Sequence, residues 1–195
     1  MGDGKPPAAA APFPGFGLLV AAGFLIVLAA LVAAGWFLFI PRFDGRPIHE
    51  TWALEALRDL AARQEDFRAA RTLDADGDGN GEYGPLAALA VPGVDARGVD
   101  GRSHYVLRVF LPGGDGAERL WCAYAWQEQS DARLRSAFYI DQSGAIHQSA
   151  NVAGMYTGPD RGPSWDAALP PGSGWGASPR AGAPASDGRN WTPLK

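Results

Sequence analysis

Only one cysteine, Cys122, occurs among the 195 residues of this chain. A single thiol cannot form an internal disulfide, so the fold has to be stabilised by noncovalent packing. Cys122 lies inside a strand-like run of apolar residues, which is not the exposed, electropositive setting that a nucleophilic thiolate needs. We therefore interpret Cys122 as a buried structural thiol.

Clusters of basic residues are also missing. The chain carries 17 Lys and Arg against 21 Asp and Glu, a formal net charge of −4, and these charges are spread along its length. Nucleic-acid binding depends on clustered Lys and Arg side chains that neutralise phosphates. We therefore expect no nucleic-acid partner.

Recognisable catalytic motifs are absent as well. The sequence has no glycine-rich phosphate loop, no serine nucleophile elbow and no paired zinc ligands. Its three histidines, His49, His104 and His147, are far apart and have no ligand spacing. Because no acid–base or nucleophile pair can be nominated, we predict no catalytic or cofactor-binding residue, and a protein that is not an enzyme. An unrecognised envelope enzyme stays open as an alternative, which a fold that brings a histidine to carboxylates in a cleft would favour.

Residues 16–40 contain no charged residue, Asn, Gln or Pro. At a rise of ~1.5 Å per residue, a helix of this length exceeds the ~30 Å hydrocarbon core of a bilayer. A cleaved secretory signal is the alternative, but its apolar region would be only about 7–15 residues long. We therefore predict a retained single-pass transmembrane helix with the lipid bilayer as its partner, preceded by a disordered tail at residues 1–15.

Periodicity changes after this segment. From Pro47 to about Leu73, apolar residues recur at helical spacing and predict a long amphipathic helix. Strand-like runs with short connections follow, at residues 104–111, 118–127, 136–141 and 145–149. This order predicts an α+β domain over residues 46–157, in which the helix packs on an antiparallel β-meander.

Residues 158–195 lose all periodicity. Seven Pro and seven Gly occur in this stretch, together with Trp165, Trp175 and Trp191. The composition predicts a disordered tail. The tryptophans fit two interpretations, which are loose anchors of the tail or contacts for a partner or a glycan.

Three alternate aspartates, Asp74, Asp76 and Asp78, reproduce the D-x-D-x-D-G start of a calcium loop. Glu82 stands at the ninth loop position and is a weak further ligand, whereas Pro85 occupies the twelfth position, where a bidentate Glu is needed. An Asp- and Gly-rich connection with Asx turns explains the same residues, and we favour it. We therefore predict no cofactor and keep calcium as an alternative.

Several short motifs resemble one protein class. These are Gly-Glu-Tyr-Gly at residues 81–84, Tyr-Ala-Trp at residues 124–126 and Gln-Ser-Gly at residues 142–144. Together with an apolar N-terminal helix, an amphipathic helix and a meander, they resemble bacterial type IV pilin-like (pseudopilin-like) proteins over residues 48–150. The N-terminal part is atypical. Pilins carry Glu at the fifth residue of the mature chain, whereas the fifth residue counted from Phe16 is Val20.

The resemblance implies a single-pass, membrane-anchored structural or interaction protein of the cell envelope, without catalysis and with its C-terminal domain outside the cytoplasm. Small residues at four-residue spacing, such as Gly17 and Ala21, would let the membrane helix contact other membrane or pilin-like subunits. Arg42 and Arg46 oppose Lys5 across the span and would favour the reverse orientation, but by one charge only. The alternative function is a membrane-tethered calcium or ligand sensor.

Overall fold

The structure is a computed structural model and describes residues 47–130 and 136–194. The predicted tail at residues 1–15 and the predicted span at residues 16–40 lie outside these ranges. Of the helices in the part of the chain that the structure describes, none is both long enough and apolar enough to cross a bilayer.

Helix α1 runs from Ile48 to Ala69. It begins directly after Pro47, and it carries an acidic residue in the first turn and a basic residue in the last turn, which complements the helix dipole. It ends earlier than the sequence predicts, because Arg71 adopts a left-handed conformation with φ 52°. A residue in that conformation is a common helix stop, but it is usually glycine, so the sequence does not reveal it.

A six-stranded antiparallel sheet follows, and its strands lie in chain order. The strands are β1 (Val99–Asp100), β2 (Tyr105–Phe110), β3 (Cys122–Gln127), β4 (Ser136–Asp141), β5 (Ile146–Ala150) and β6 (Thr192–Pro193). The predicted α+β class and the antiparallel meander are therefore confirmed. The two-residue edge strands β1 and β6 are too short to show a period and were not expected.

One face of the sheet packs on α1. Leu57 and Leu60 of the helix are fully buried there against Leu107 and Phe138 of the sheet. The predicted packing of an amphipathic helix on the meander is thus confirmed, although Phe67 near the end of α1 is only partly buried. Burial of large apolar side chains stabilises this layer by roughly 1.5–3 kcal/mol for each.

The other face of the sheet is aromatic, and residues 158–194 cover it. Tyr124 and Tyr139 lie opposite each other on β3 and β4, and Trp191 packs on both with ring-centroid distances of 5.7 and 6.4 Å. Trp191 is completely buried. This packing corrects the expectation of a disordered tail at residues 158–195, since the domain extends well beyond residue 157. The segment lacks periodicity because it crosses the sheet as irregular chain rather than as helix or strand.

Candidate functional site

The three weak candidate ligands for calcium come together. Carboxylate oxygens of Asp74, Asp76 and Asp78 all lie within 4.8 Å of one another in the surface loop that follows α1. Gly77 and Gly79 have φ values of 75° and 86°, which only glycine adopts without strain, and they bend the loop so that the carboxylates converge. The arrangement concentrates negative charge that favours a hard cation.

The same carboxylates already accept hydrogen bonds from the loop backbone. Asp74 accepts from the N–H of Gly77 at 2.9 Å and of Gly79 at 3.1 Å, and Asp76 and Asp78 each accept from the residue two positions later. These Asx turns are the alternative explanation of the motif, and the structure contains them. The two explanations coexist, because a carboxylate oxygen has a second lone pair.

Glu82 lies outside this triad of carboxylates. Its Oε1 accepts a hydrogen bond from the backbone N–H of Ala75 at 2.9 Å, and its own N–H donates to the carbonyl of Leu73 at 3.0 Å. Glu82 therefore closes the base of the loop. Partial desolvation raises the pKa of nearby Glu118, and the negative charges of Asp78 and Asp76 raise it further.

Cys122 is a free, buried thiol. It is 3% exposed, its Sγ lies 3.5 Å from the carbonyl oxygen of Trp165, and burial raises its pKa to about 12. Asp141 lies opposite it on β4, but that carboxylate accepts hydrogen bonds from Tyr139 and Ser143. The predicted burial of Cys122 is confirmed.

His147 lies opposite Tyr139 in the sheet and beside the edge strand β6, where it pairs with Pro193. It is 8% exposed, and its Nδ1 has no hydrogen-bond partner. Burial lowers its pKa, while the negative charge of Asp141 acts in the opposite direction. The His147 ring packs edge-on against Tyr139, beside the edge strand β6.

Sequence reasoning missed one group of polar side chains. His49 in the first turn of α1 and His104 just before β2 have ring centroids only 5.6 Å apart. Nδ1 of His104 lies 3.8 Å from Oε2 of Glu128, the residue that follows β3. No sequence spacing connects these three residues, because the antiparallel pairing of β2 with β3 and the placement of α1 bring them together.

Two surface cavities lie on the domain. A groove of about 480 Å³ lies beside residues 86–98 and contains Asp95 and Arg97, and one of about 390 Å³ contains Arg68, Arg71 and Glu118. Neither lining includes a histidine, cysteine, serine or threonine. The two cavities therefore offer binding surfaces of mixed polarity whose linings contain no hydroxyl, thiol or imidazole side chain from Ser, Thr, Cys or His.

No family model, curated protein or solved structure matches this chain. The function of the chain is therefore inferred from the arrangement of its side chains and from its sequence pattern. The features that bear on function are the apolar stretch at residues 16–40, the aspartate loop and the aromatic packing of the C-terminal residues on the sheet.

Proposed function

We propose that this chain is a single-pass, membrane-anchored structural or interaction protein of the bacterial cell envelope, with a pilin-like domain outside the cytoplasm. The observation that carries the proposal is the order of its parts. An uncharged apolar stretch at residues 16–40 is followed by α1, and α1 lies on an antiparallel meander. This order of parts is the one that the pilin-like resemblance implies.

The polar groups of several aromatic side chains form hydrogen bonds within the fold, which supports a role without catalysis. The Tyr124 hydroxyl donates to the carbonyl of Trp165 and accepts from the N–H of Ala168, both at 3.0 Å. The Tyr156 hydroxyl donates to Asp187 at 2.6 Å, and Trp191 donates to the same carboxylate at 3.2 Å. These hydrogen bonds hold the C-terminal segment on the sheet, so the groups that form them have a structural role.

Membrane fractionation of the full chain tests the anchor. We expect the protein to remain in the membrane pellet after an alkaline carbonate wash, because residues 16–40 are long enough to span the hydrocarbon core. The matched control lacks residues 16–40 and should be released. Appearance of the full domain in the soluble fraction of the wild type would contradict the anchor.

Protease treatment of intact spheroplasts tests the orientation. The proposal places residues 46–195 outside the cytoplasm, so a C-terminal tag should be digested while a cytoplasmic marker protein stays intact. Protection of the tag until the membrane is broken would place the domain inside. That outcome would remove the main support for the pilin-like role.

A second candidate function is a membrane-tethered calcium sensor. One observation favours it, the convergence of the Asp74, Asp76 and Asp78 carboxylates. A rise in thermal stability on addition of calcium, removed by Asp76→Asn, would favour the sensor over the purely structural role. The absence of a bidentate Glu at Pro85 makes it the weaker candidate.

A further inference from the structure

The loop that follows α1 ends in an Asn-Gly pair, which is chemically labile. Asn80 is the residue directly before the Gly-Glu-Tyr-Gly turn at residues 81–84. We propose that Asn80 is a site of spontaneous deamidation, and that the isoaspartate formed there loosens the attachment of this turn to α1. The inference involves neither calcium nor the membrane anchor, so it goes beyond the proposed function.

The three asparagines of the chain differ in the residue that follows each of them. Asn80 precedes glycine, whereas Asn151 precedes valine and Asn190 precedes tryptophan. Deamidation begins when the backbone nitrogen of the next residue attacks the side-chain amide, and a side chain on that residue obstructs the approach. Glycine has no Cβ and adopts many backbone conformations with little strain. The sequence therefore favours the reaction at Asn80.

The structure leaves the reacting groups of Asn80 and Gly81 accessible. Asn80 is exposed, and its Nδ2 donates to Oδ2 of Asp78 at 2.6 Å in a hydrogen bond that is itself exposed to solvent. Both residues line the surface cavity of about 390 Å³, through which water reaches the bond between them. Within residues 47–130 and 136–194, the N–H of Gly81 has no hydrogen-bond acceptor, so its nitrogen is not held by secondary structure.

The other two asparagines lie in settings that oppose the reaction. Asn151 is 2% exposed, and both polar atoms of its side chain bond to the backbone of Tyr156, Nδ2 to the carbonyl at 2.7 Å and Oδ1 to the N–H at 3.0 Å. Asn190 is exposed, but the next residue, Trp191, is completely buried and fixes the nitrogen that would have to attack. These two residues are therefore controls within the same molecule.

The reaction needs only water. The backbone nitrogen of Gly81 bonds to Cγ of Asn80, the Cγ–Nδ2 bond breaks, and the proton lost by Gly81 leaves with Nδ2 as ammonia. The five-membered imide that remains is then opened by water. Opening at Cγ gives aspartate with a normal backbone. Opening at the backbone carbonyl carbon gives isoaspartate, whose backbone is one carbon longer.

The added backbone carbon would be inserted next to a closely packed residue. Gly81 is buried beside the last turn of α1, and a side chain at this position would collide with the carbonyl oxygen of Arg68. The turn is also fixed farther along, because the N–H of Tyr83 donates to the carbonyl of Ala117 at 2.9 Å. Closely packed groups have little room for an insertion, so isoaspartate at position 80 displaces the turn.

Peptide mapping of the full chain in detergent tests the site. The protein is incubated in warm, mildly alkaline buffer, digested at intervals and analysed by mass spectrometry, while released ammonia is measured in the same samples. We expect the peptide that contains Asn80 to undergo the mass change from amide to acid severalfold faster than the peptides that contain Asn190 or Asn151. Asp76 and Asp78 also precede glycine, but they have no side-chain amide and release no ammonia.

Asn80→Gln is the matched control, because glutamine would have to close a six-membered ring, which forms much more slowly. Position 80 is exposed, so the replacement leaves packing intact. Conversion at Asn80 that is no faster than conversion at Asn190 would overturn the proposal. Undiminished release of ammonia from Asn80→Gln would overturn it as well.

The effect on the turn is measured separately. A protein isoaspartyl methyltransferase with a labelled methyl donor counts the isoaspartate in the aged protein, and Asn80→Gln gives the background from Asp76 and Asp78. Limited proteolysis then compares the aged protein with Asn80→Asp, which carries the added charge on a normal backbone. We expect faster cleavage within residues 74–84 of the aged protein. Equal rates would show that isoaspartate does not loosen the turn, and that part of the proposal would fall.

Discussion

Gln64 and Gly84 are joined by two hydrogen bonds. The side-chain Nε2 of Gln64 donates to the carbonyl of Gly84, and the N–H of Gly84 donates to Oε1 of Gln64, both at 2.8 Å. The amide of a buried helix residue thus satisfies the backbone of an extended segment as a neighbouring strand would. The pair fastens the Gly-Glu-Tyr-Gly turn to α1, and a side chain at position 84 would meet the Phe67 ring at 3.0 Å. The closeness of the Phe67 ring explains why the last residue of this turn is glycine.

The first prediction concerns this pair. Gln64→Ala leaves a buried N–H and a buried C=O of Gly84 without partners, so we expect a loss of about 2–4 kcal/mol in the free energy of unfolding. Urea denaturation of the full chain measures it. Gln129→Ala, at an exposed position, should change stability by less than about 0.5 kcal/mol. Equal effects of the two variants would show that the paired amide contributes nothing.

The second prediction concerns the C-terminal segment. Trp191→Ala removes a fully buried ring from its contacts with Tyr124 and Tyr139, so we expect a loss of about 3–5 kcal/mol in stability. Limited proteolysis should then cut residues 158–190 much faster. Trp175→Ala, at a half-buried position stacked on Trp165, should have a smaller effect. Unchanged protease resistance in Trp191→Ala would mean that other contacts hold the segment.

The third prediction concerns calcium. We expect no binding at micromolar concentrations, because Pro85 stands where a calcium loop needs a bidentate Glu and Glu82 is used to close the loop. Calorimetric titration of the full chain with calcium measures it. Micromolar affinity that Asp76→Ala abolishes would contradict us and would favour the sensor function.

The fourth prediction concerns acid. Burial lowers the pKa of His147 in the folded state, so the unfolded chain binds its proton more readily. The contribution of His147 to stability is therefore complete above its ordinary pKa of ~6.5 and falls as the pH drops below it. His147→Gln should flatten the dependence of the unfolding midpoint on pH between about 7 and 5. The exposed His104→Asn is the control; a pH dependence that only His104→Asn flattens would contradict the assignment.

Local pattern accounts for much of the fold. Helical spacing predicts α1, because Leu54, Leu57 and Leu60 must share one buried face, and alternation predicts the longer strands. The single cysteine and the alternate aspartates are equally local signals; Cys122 is buried as predicted, and the aspartates form the Asx turns that the sequence favours. The membrane span is likewise a prediction from residues 16–40 alone, which lie outside the residues that the structure describes.

Tertiary structure decided what is not periodic. Residues 158–194 carry no helical or strand pattern, and they are ordered because the aromatic face of the sheet offers Trp191 a place to be buried. His49, His104 and Glu128 approach each other only when α1 lies on the meander and β2 pairs with β3. Sequence by itself determined the elements, since these depend on neighbours within a few residues. The contacts between elements depend on residues that are distant in the chain, and these contacts placed residues 158–194 on the aromatic face of the sheet.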